Sequence, residues 1–254
     1  MGVVNVTPDS FSDGGRFLDP ALAIAHGRKL MEEGADILDI GGESSRPGAR
    51  AVAEQEEMDR VLPVLEILKE FPVSVDTRRP TVMKAALVKG AAMINDIEAL
   101  QAPGAFEAVA ASGCGVCLMH KQGDPATMQN DPQYGDVVQE VLNFLKEKIR
   151  ACETRNIQRE RLVIDPGFGF GKTPEHNFRL LRELQAFTGL GVPVLAGWSR
   201  KSTLGAVTGR PVGERLAGSL AAALLALQAG ATILRVHDVK ETRDVVAVWE
   251  ASRK

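Results

Sequence analysis

Short apolar runs alternate with longer amphipathic stretches along the whole chain, and that alternation constrains the fold more than any single motif does. The runs read as strands at Gly2–Val6, Asp36–Ile40, Val73–Asp76, Met93–Ile97, Gly115–Met119, Leu162–Asp165, Pro193–Ala196 and Ile233–Val236. Between them lie helical patterns such as PALAIAHGRKLMEEG, EEMDRVLPVLEILKEF, DVVQEVLNFLKEKIRAC and GERLAGSLAAALLALQAG. Over 254 residues the repeat comes to about 32 residues, the size of one strand–helix unit. The strands are apolar almost throughout, as a sheet covered on both faces requires. Gly34, Gly90 and Gly230 each follow a helical pattern and mark its end. No linker, low-complexity tract or charge run divides the chain. These features predict an α/β fold, a single (β/α)8 TIM barrel spanning residues 1–254. An open doubly wound sheet is the alternative, but the segment after the first strand, TPDSFSDGG, lacks the glycine fingerprint of a nucleotide-binding turn.

Composition excludes several classes of function. A net charge of −3 gives no basic surface for nucleic acid or for anionic membranes. No apolar run approaches the roughly 18 residues that cross a bilayer. The opening MGVVNVTPDSF has neither the basic region nor the apolar stretch of a signal peptide, so a cytoplasmic location is expected. Three cysteines suit a reducing compartment. Cys114 and Cys117 form a C-x-x-C, but within the apolar run CGVCLM they read as buried strand residues rather than as a redox or metal pair.

The chemistry gathers at the C-terminal strand ends, where barrel active sites form. Asn5, Asp39, Asp76, Asn95, His120, Asp165, the GWSRKS turn with Lys201, and Arg235 with His237 place a polar group at every strand end. Singly, such residues serve as helix caps or turn formers; together they predict a site. Arg235 and His237 stand two apart on a strand and leave the same face. An inward arginine needs an anionic partner, either a bound phosphate or one of the barrel's own carboxylates. Asn5, Thr7 and Ser10 add hard oxygen donors of the kind Mg2+ prefers, so a diphosphate with Mg2+ is expected near the first and last strands.

DPGFGFGKT resembles a phosphate loop but has the wrong spacing for one, since three residues rather than four separate Gly167 from Gly171. It reads as a flexible glycine turn holding Asp165 and Phe170 over the barrel mouth, with Phe170 placed to touch a planar ligand. Residues 6–16 and 41–50, rich in Gly, Ser and Pro, read as closing loops on the same rim.

Taken in order, MGVVNVTPDSFSDGG, ADILDIGGESSRPGA, VSVDTRRP, INDIEAL, LMHKQGDPATMQ, DPGFGFGKTPEHN, GWSRKS and LRVHDV resemble the successive signatures of the dihydropteroate synthases, pterin-binding TIM barrels. The resemblance implies a transferase of folate biosynthesis that joins 6-hydroxymethyl-7,8-dihydropterin pyrophosphate to p-aminobenzoate, with Mg2+ as cofactor, small molecules as its substrates and a homodimer as its assembly. It assigns Asp76, Asn95, Asp165 and Lys201 to the pterin, Asn5 to Mg2+, and Ser45, Arg235 and His237 to the diphosphate. It assigns Arg46, Pro47, Phe170 and Ser202 to p-aminobenzoate, and Asp39 to support of the pterin pocket. Catalysis would fall to Lys201, Arg235, His237 and Asp165, and sulfonamide drugs would target the enzyme. Two departures stand out. Family members usually carry a lead segment before the strand that here begins almost at Met1, and Lys121 stands where Met is more usual. A pterin-binding methyltransferase module is the nearest alternative, but it has no use for the diphosphate groups of GWSRKS and LRVHDV.

Overall fold

The computed structural model describes residues 1–7, 20–44, 52–124 and 127–253. Its strands are β1 (Gly2–Asn5), β2 (Leu38–Gly41), β3 (Val73–Asp76), β4 (Met93–Asp96), β5 (Gly115–Met119), β6 (Leu162–Asp165), β7 (Leu195–Ala196) and β8 (Ile233–Leu234). β1 to β6 pair in sequence order, every neighbour parallel, and β7 pairs with β8. Parallel bridges Ile164–Val194 and Gly2–Val236 join the two sheets at both seams and close the ring. At the second seam Val3 N donates to Val236 O at 3.0 Å. The eight-stranded barrel expected from the repeat is the fold.

Helices return the chain between strands: α1 (Pro20–Glu32), α2 (Glu54–Leu68), α3 (Pro80–Val88), α4 (Ala105–Ala110), α5 (Val137–Glu153), α6 (Pro174–Arg182), α7 (Gln185–Thr188), α8 (Ser202–Thr208), α9 (Leu216–Gln228) and α10 (Val239–Ala251). Asp136 caps α5 by accepting from the amides of Val138 and Gln139, which satisfies two donors that a helix start leaves orphaned. Gly34, Gly90 and Gly230, which follow α1, α3 and α9, take φ of 97°, 101° and 96°, the left-handed turn that ends a helix cheaply only at glycine.

Strand alternation splits the interior in two. Outward residues such as Ile40, Val75, Ile94, Leu118 and Ile164 pack with the helices into one large core. Inward residues Met1, Met93, Cys117, Val163 and Leu195 form a second, smaller cluster that plugs the barrel, with Ile37 and Ile233 against it. Cys114 belongs to the outer core and Cys117 to the inner one. The C-x-x-C pair is therefore split across the sheet, and all three cysteines are free and buried. Above the apolar plug, Asp39, Asn95, Asp165 and Arg235 take inward positions toward the C-terminal strand ends, with the apolar Met119 among them.

Candidate active site

Register explains why these polar groups meet. Asn5, Gly41, Asp76 and Asn95 are partners across β1 to β4, so they form one layer of inward positions. Asp39 lies two residues below Gly41 on β2 and is fully buried. Asn95 donates to Asp39 Oδ2 at 3.1 Å. Arg235, just past β8, stretches across the barrel: Nε donates to Asp39 Oδ2 at 2.6 Å and Nη2 to Asp76 Oδ2 at 2.9 Å. Of the two partners left open for Arg235, the barrel's own carboxylates are the ones seen. Its side chain is nonetheless 22% exposed, and a guanidinium carries five N–H donors, so three remain for an anion in the mouth.

Burial sets the electrostatics. It pushes the Asp76 carboxyl up to about 7, against the pull of Arg235 and helped by the negative charges of Asp39, Glu57 and Asp96. Asp165 is likewise raised by burial, partly offset by Lys201 and by the Gly167 amide, which donates to its Oδ1 at 2.7 Å. Burial lowers the Lys201 ammonium to about 8, with Asp165 opposing the shift. Buried groups of opposite charge shifted in this way at the strand ends make a candidate functional site.

Lys201 joins the glycine loop to this floor. Its ammonium donates to the Phe168 carbonyl and sits over the Phe170 ring, 4.3 Å from the centroid. Ser202 opens α8 with its side chain exposed, next to Lys201 in the chain. His237 keeps to the rim with Nδ1 2.9 Å from Ser199 Oγ. Ser10, Ser45, Arg46 and Pro47 lie outside the described residues.

Two sequence expectations need correction. His120 does not join the convergent set. Met119 is the residue of β5 in register with Asp165, so it faces inward. His120 turns outward, edge-on to Phe144 with centroids 4.9 Å apart, and burial with the nearby Lys172 charge depresses it to about 2. The glycine turn, read as flexible, is held: the carbonyls of Gly167, Phe168, Gly169, Phe170 and Gly171 each accept from a side chain, of Lys172, Lys201, Gln129, Lys172 and Tyr134 respectively. Lys121, unusual by family pattern, has a purpose. It pairs with Glu98 at 3.0 Å, and Glu98 in turn pairs with Arg78. Arg78 and Arg79 both bind Glu43, which also accepts the Val52 amide at 3.1 Å and so fixes the start of α2 relative to the end of β2.

Sequence reasoning missed Lys172, Tyr134 and Gln129. Nothing in local pattern marks them except that a charged residue closing a glycine-rich run must find acceptors nearby.

A family model described as pterin binding enzyme matches residues 1–237. The dihydropteroate synthase of Haemophilus influenzae is 50% identical over 99% of this chain and 93% of its own length. The chain belongs to the dihydropteroate synthase family. Among solved structures, that of the Yersinia pestis dihydropteroate synthase in a sulfonamide drug complex superposes with a TM-score of 0.95 at 46% identity, covering 99% of this chain and 93% of that one. The Xanthomonas albilineans dihydropteroate synthase with 4-aminobenzoic acid gives 0.94 at 54% identity, covering 99% and 92%. The synthase frame thus carries the pocket described above, and the methyltransferase alternative falls away.

Proposed function

We propose a division of labour among these residues for the reaction of the family, the transfer that makes 7,8-dihydropteroate in folate biosynthesis. The amino nitrogen of p-aminobenzoate attacks the methylene carbon of 6-hydroxymethyl-7,8-dihydropterin pyrophosphate. The C–O bond breaks with its electron pair leaving on diphosphate, and the new C–N bond sheds the amine proton. The observation that carries the reading is the buried floor in which Asp76, Asn95 and Asp165 face Lys201 and Arg235. A pterin presents an edge of alternating donors and acceptors; Asp76 and Asp165 accept from it, Asn95 does both, and Lys201 donates. As diphosphate departs, the two carboxylates offset positive charge on the ring and methylene carbon.

Arg235, with His237 and Ser45, binds the diphosphate through the donors its internal pairs leave over. Phe170, Ser202, Arg46 and Pro47 take p-aminobenzoate, the ring against Phe170. Asn5 fits a Mg2+ ligand: its Oδ1 borders the space that Gly41 leaves open, 3.9 Å from where a Cβ there would lie. Among the described residues no group of three His, Cys, Asp or Glu stands ready to hold a metal alone. One amide oxygen completed by diphosphate oxygens and water suits Mg2+. When bound, the ion supplies charge that stabilises the leaving group.

A homodimer in the cytoplasm completes the reading. α9 presents Ala217, Ala221 and Leu225 to solvent at helical spacing, with Leu225 51% exposed, the apolar face a second copy would cover. Free buried cysteines suit a reducing compartment, and no helix among the described residues is long and apolar enough to cross a membrane.

Titration of the pterin pyrophosphate with and without Mg2+, followed by diphosphate release on adding p-aminobenzoate, tests the assignment. A pterin without phosphates should bind in chelator, the pyrophosphate should bind more tightly with Mg2+, and Asn5→Ala should lose that gain alone. Diphosphate release indifferent to p-aminobenzoate would overturn the reaction, and an unchanged Mg2+ dependence in Asn5→Ala would remove the metal assignment.

A further inference from the structure

We infer that Lys172 is the positioning residue that sets Phe170, and with it the p-aminobenzoate side of the pocket; the inference rests on the reading of Phe170 given above. Lys172 is 2% exposed, an unusual place for an ammonium. Its Nζ lies 3.0 Å from Gly167 O, 3.1 Å from Phe170 O and 3.0 Å from His120 Nδ1, with His120 O at 3.4 Å. In its charged form its three donors thus meet three near acceptors, and a side chain so buried and so bonded is one that its neighbours hold in place.

Those acceptors are not scattered. Gly167 and Phe170 bracket the loop, and His120 belongs to the end of β5, so the ammonium ties both ends of the loop to the barrel wall. The imidazole must offer a lone pair at Nδ1 for this, which agrees with a neutral ring. Packing leaves the loop little freedom to compensate. A Cβ at Gly167 would run into the His120 carbonyl, one at Gly171 into the Gln122 carbonyl, and one at Gly169 would come 2.9 Å from Lys201 Cδ. The loop is a thin layer pressed between β5 and Lys201, with one ammonium on each side. Lys201 reaches it from the pterin floor through Phe168 O and the Phe170 ring; Lys172 holds it from behind. Asn177 completes the brace by accepting the Gly169 amide at 2.7 Å and donating to the Lys172 carbonyl at 3.3 Å. Removing the Lys172 ammonium frees the carbonyls of Phe170 and Gly167, so that Phe170 itself keeps only the Lys201 contact to its ring as a side-chain tether while Gln129, Tyr134 and Asn177 hold its neighbours.

Steady-state kinetics of Lys172→Met, of Phe170→Ala and of the double variant test this, each rate scaled to folded protein. Lys172→Met should raise KM for p-aminobenzoate about tenfold or more, the scale on which small misplacements act, while a pterin without phosphates binds within about twofold of the parent. The double variant should match Phe170→Ala, because both changes act through one ring. A KM rise in Lys172→Met with none in Phe170→Ala refutes the route through Phe170 and the reading of Phe170 together. A rise in Phe170→Ala alone refutes only the role of Lys172. Equal losses of pterin and p-aminobenzoate affinity mean general loosening and overturn the inference. Should Lys172→Met not fold, Lys172→Gln, which keeps two donors without the charge, carries the same comparison.

Discussion

Arg235 Nε meets Asp39 Oδ2 at 2.6 Å across the barrel, and Asp39 has no exposure to solvent. Asp39 Oδ1 lacks any partner, so this arginine and the Asn95 amide are what compensate the charge. Arg235 therefore serves stability, and in the proposed mechanism it also binds the leaving group. Arg235→Ala should lower stability by about 3–5 kcal/mol, because an uncompensated buried carboxylate remains. It should also slow single-turnover chemistry by about two to three orders of magnitude, the usual loss when one donor to a departing charge is removed. Adding Asp39→Asn separates the two: melting temperature should recover and the rate should not. A double variant that regains the rate would make Arg235 purely structural.

How far the sequence reached can be judged at two strand ends. At β3 and β4, Asp76 and Asn95 are the last or next-to-last residues of apolar runs, and alternation puts them inside the barrel, as found. At β5 the same counting, started one residue late, chose His120 over Met119; a period of two makes every such slip a change of face. The Arg235–Asp39 contact spans 196 positions. Pattern along the chain shows only that an inward arginine needs an anion, not whether ligand or protein supplies it. The held glycine loop was illegible for a similar reason, since its acceptors are backbone carbonyls and its donors come from Gln129, Tyr134, Lys172 and Lys201.

Asp76 predicts a pH dependence for pterin binding. With its carboxyl raised to about 7, chiefly by burial, the free protein holds a proton there that must leave when ring N–H groups are to be accepted. Affinity for a pterin without phosphates should be greatest between about pH 7 and 8, fall below 7 toward tenfold per unit, and decline again above 8 as the Lys201 ammonium, lowered to about 8, loses its proton. Calorimetry at several pH values, in buffers of different ionisation enthalpy, should also show proton release. An Asp76→Asn protein with the same pH profile would assign the proton elsewhere.

Leu225 tests the assembly. Fully burying a leucine contributes about 1.5–3 kcal/mol, and a twofold axis counts it twice. Leu225→Arg should therefore weaken self-association by two orders of magnitude or more, read by sedimentation over a dilution series, while melting of the isolated barrel changes little because the side chain is 51% exposed. Unchanged sedimentation would move the interface away from α9.

Lys172 offers the last test, on stability alone. Burial drives its ammonium down to about 7 from an ordinary 10.5, with Asp165 resisting and Lys201 adding to the fall; His120, its neighbour, is neutral. Between those two values the unfolded chain keeps a proton that the folded barrel has released. Stability must then rise with pH across that window, and below about 7 the full cost of burying the charge is present. Lys172→Met removes this dependence along with the bonds to Gly167, Phe170 and His120. The parent's stability relative to the variant should consequently be flat below pH 7 and climb steadily toward pH 10.5, as measured by urea unfolding at closely spaced pH values. Tyr134, pushed up chiefly by burial, and Lys201, lowered to about 8, are common to both proteins, so their difference reports Lys172 together with its interaction with Lys201. A difference that stays constant from pH 7 to 10.5 would mean that the ammonium keeps its proton in the folded barrel, held there by its carbonyl acceptors more strongly than burial opposes it.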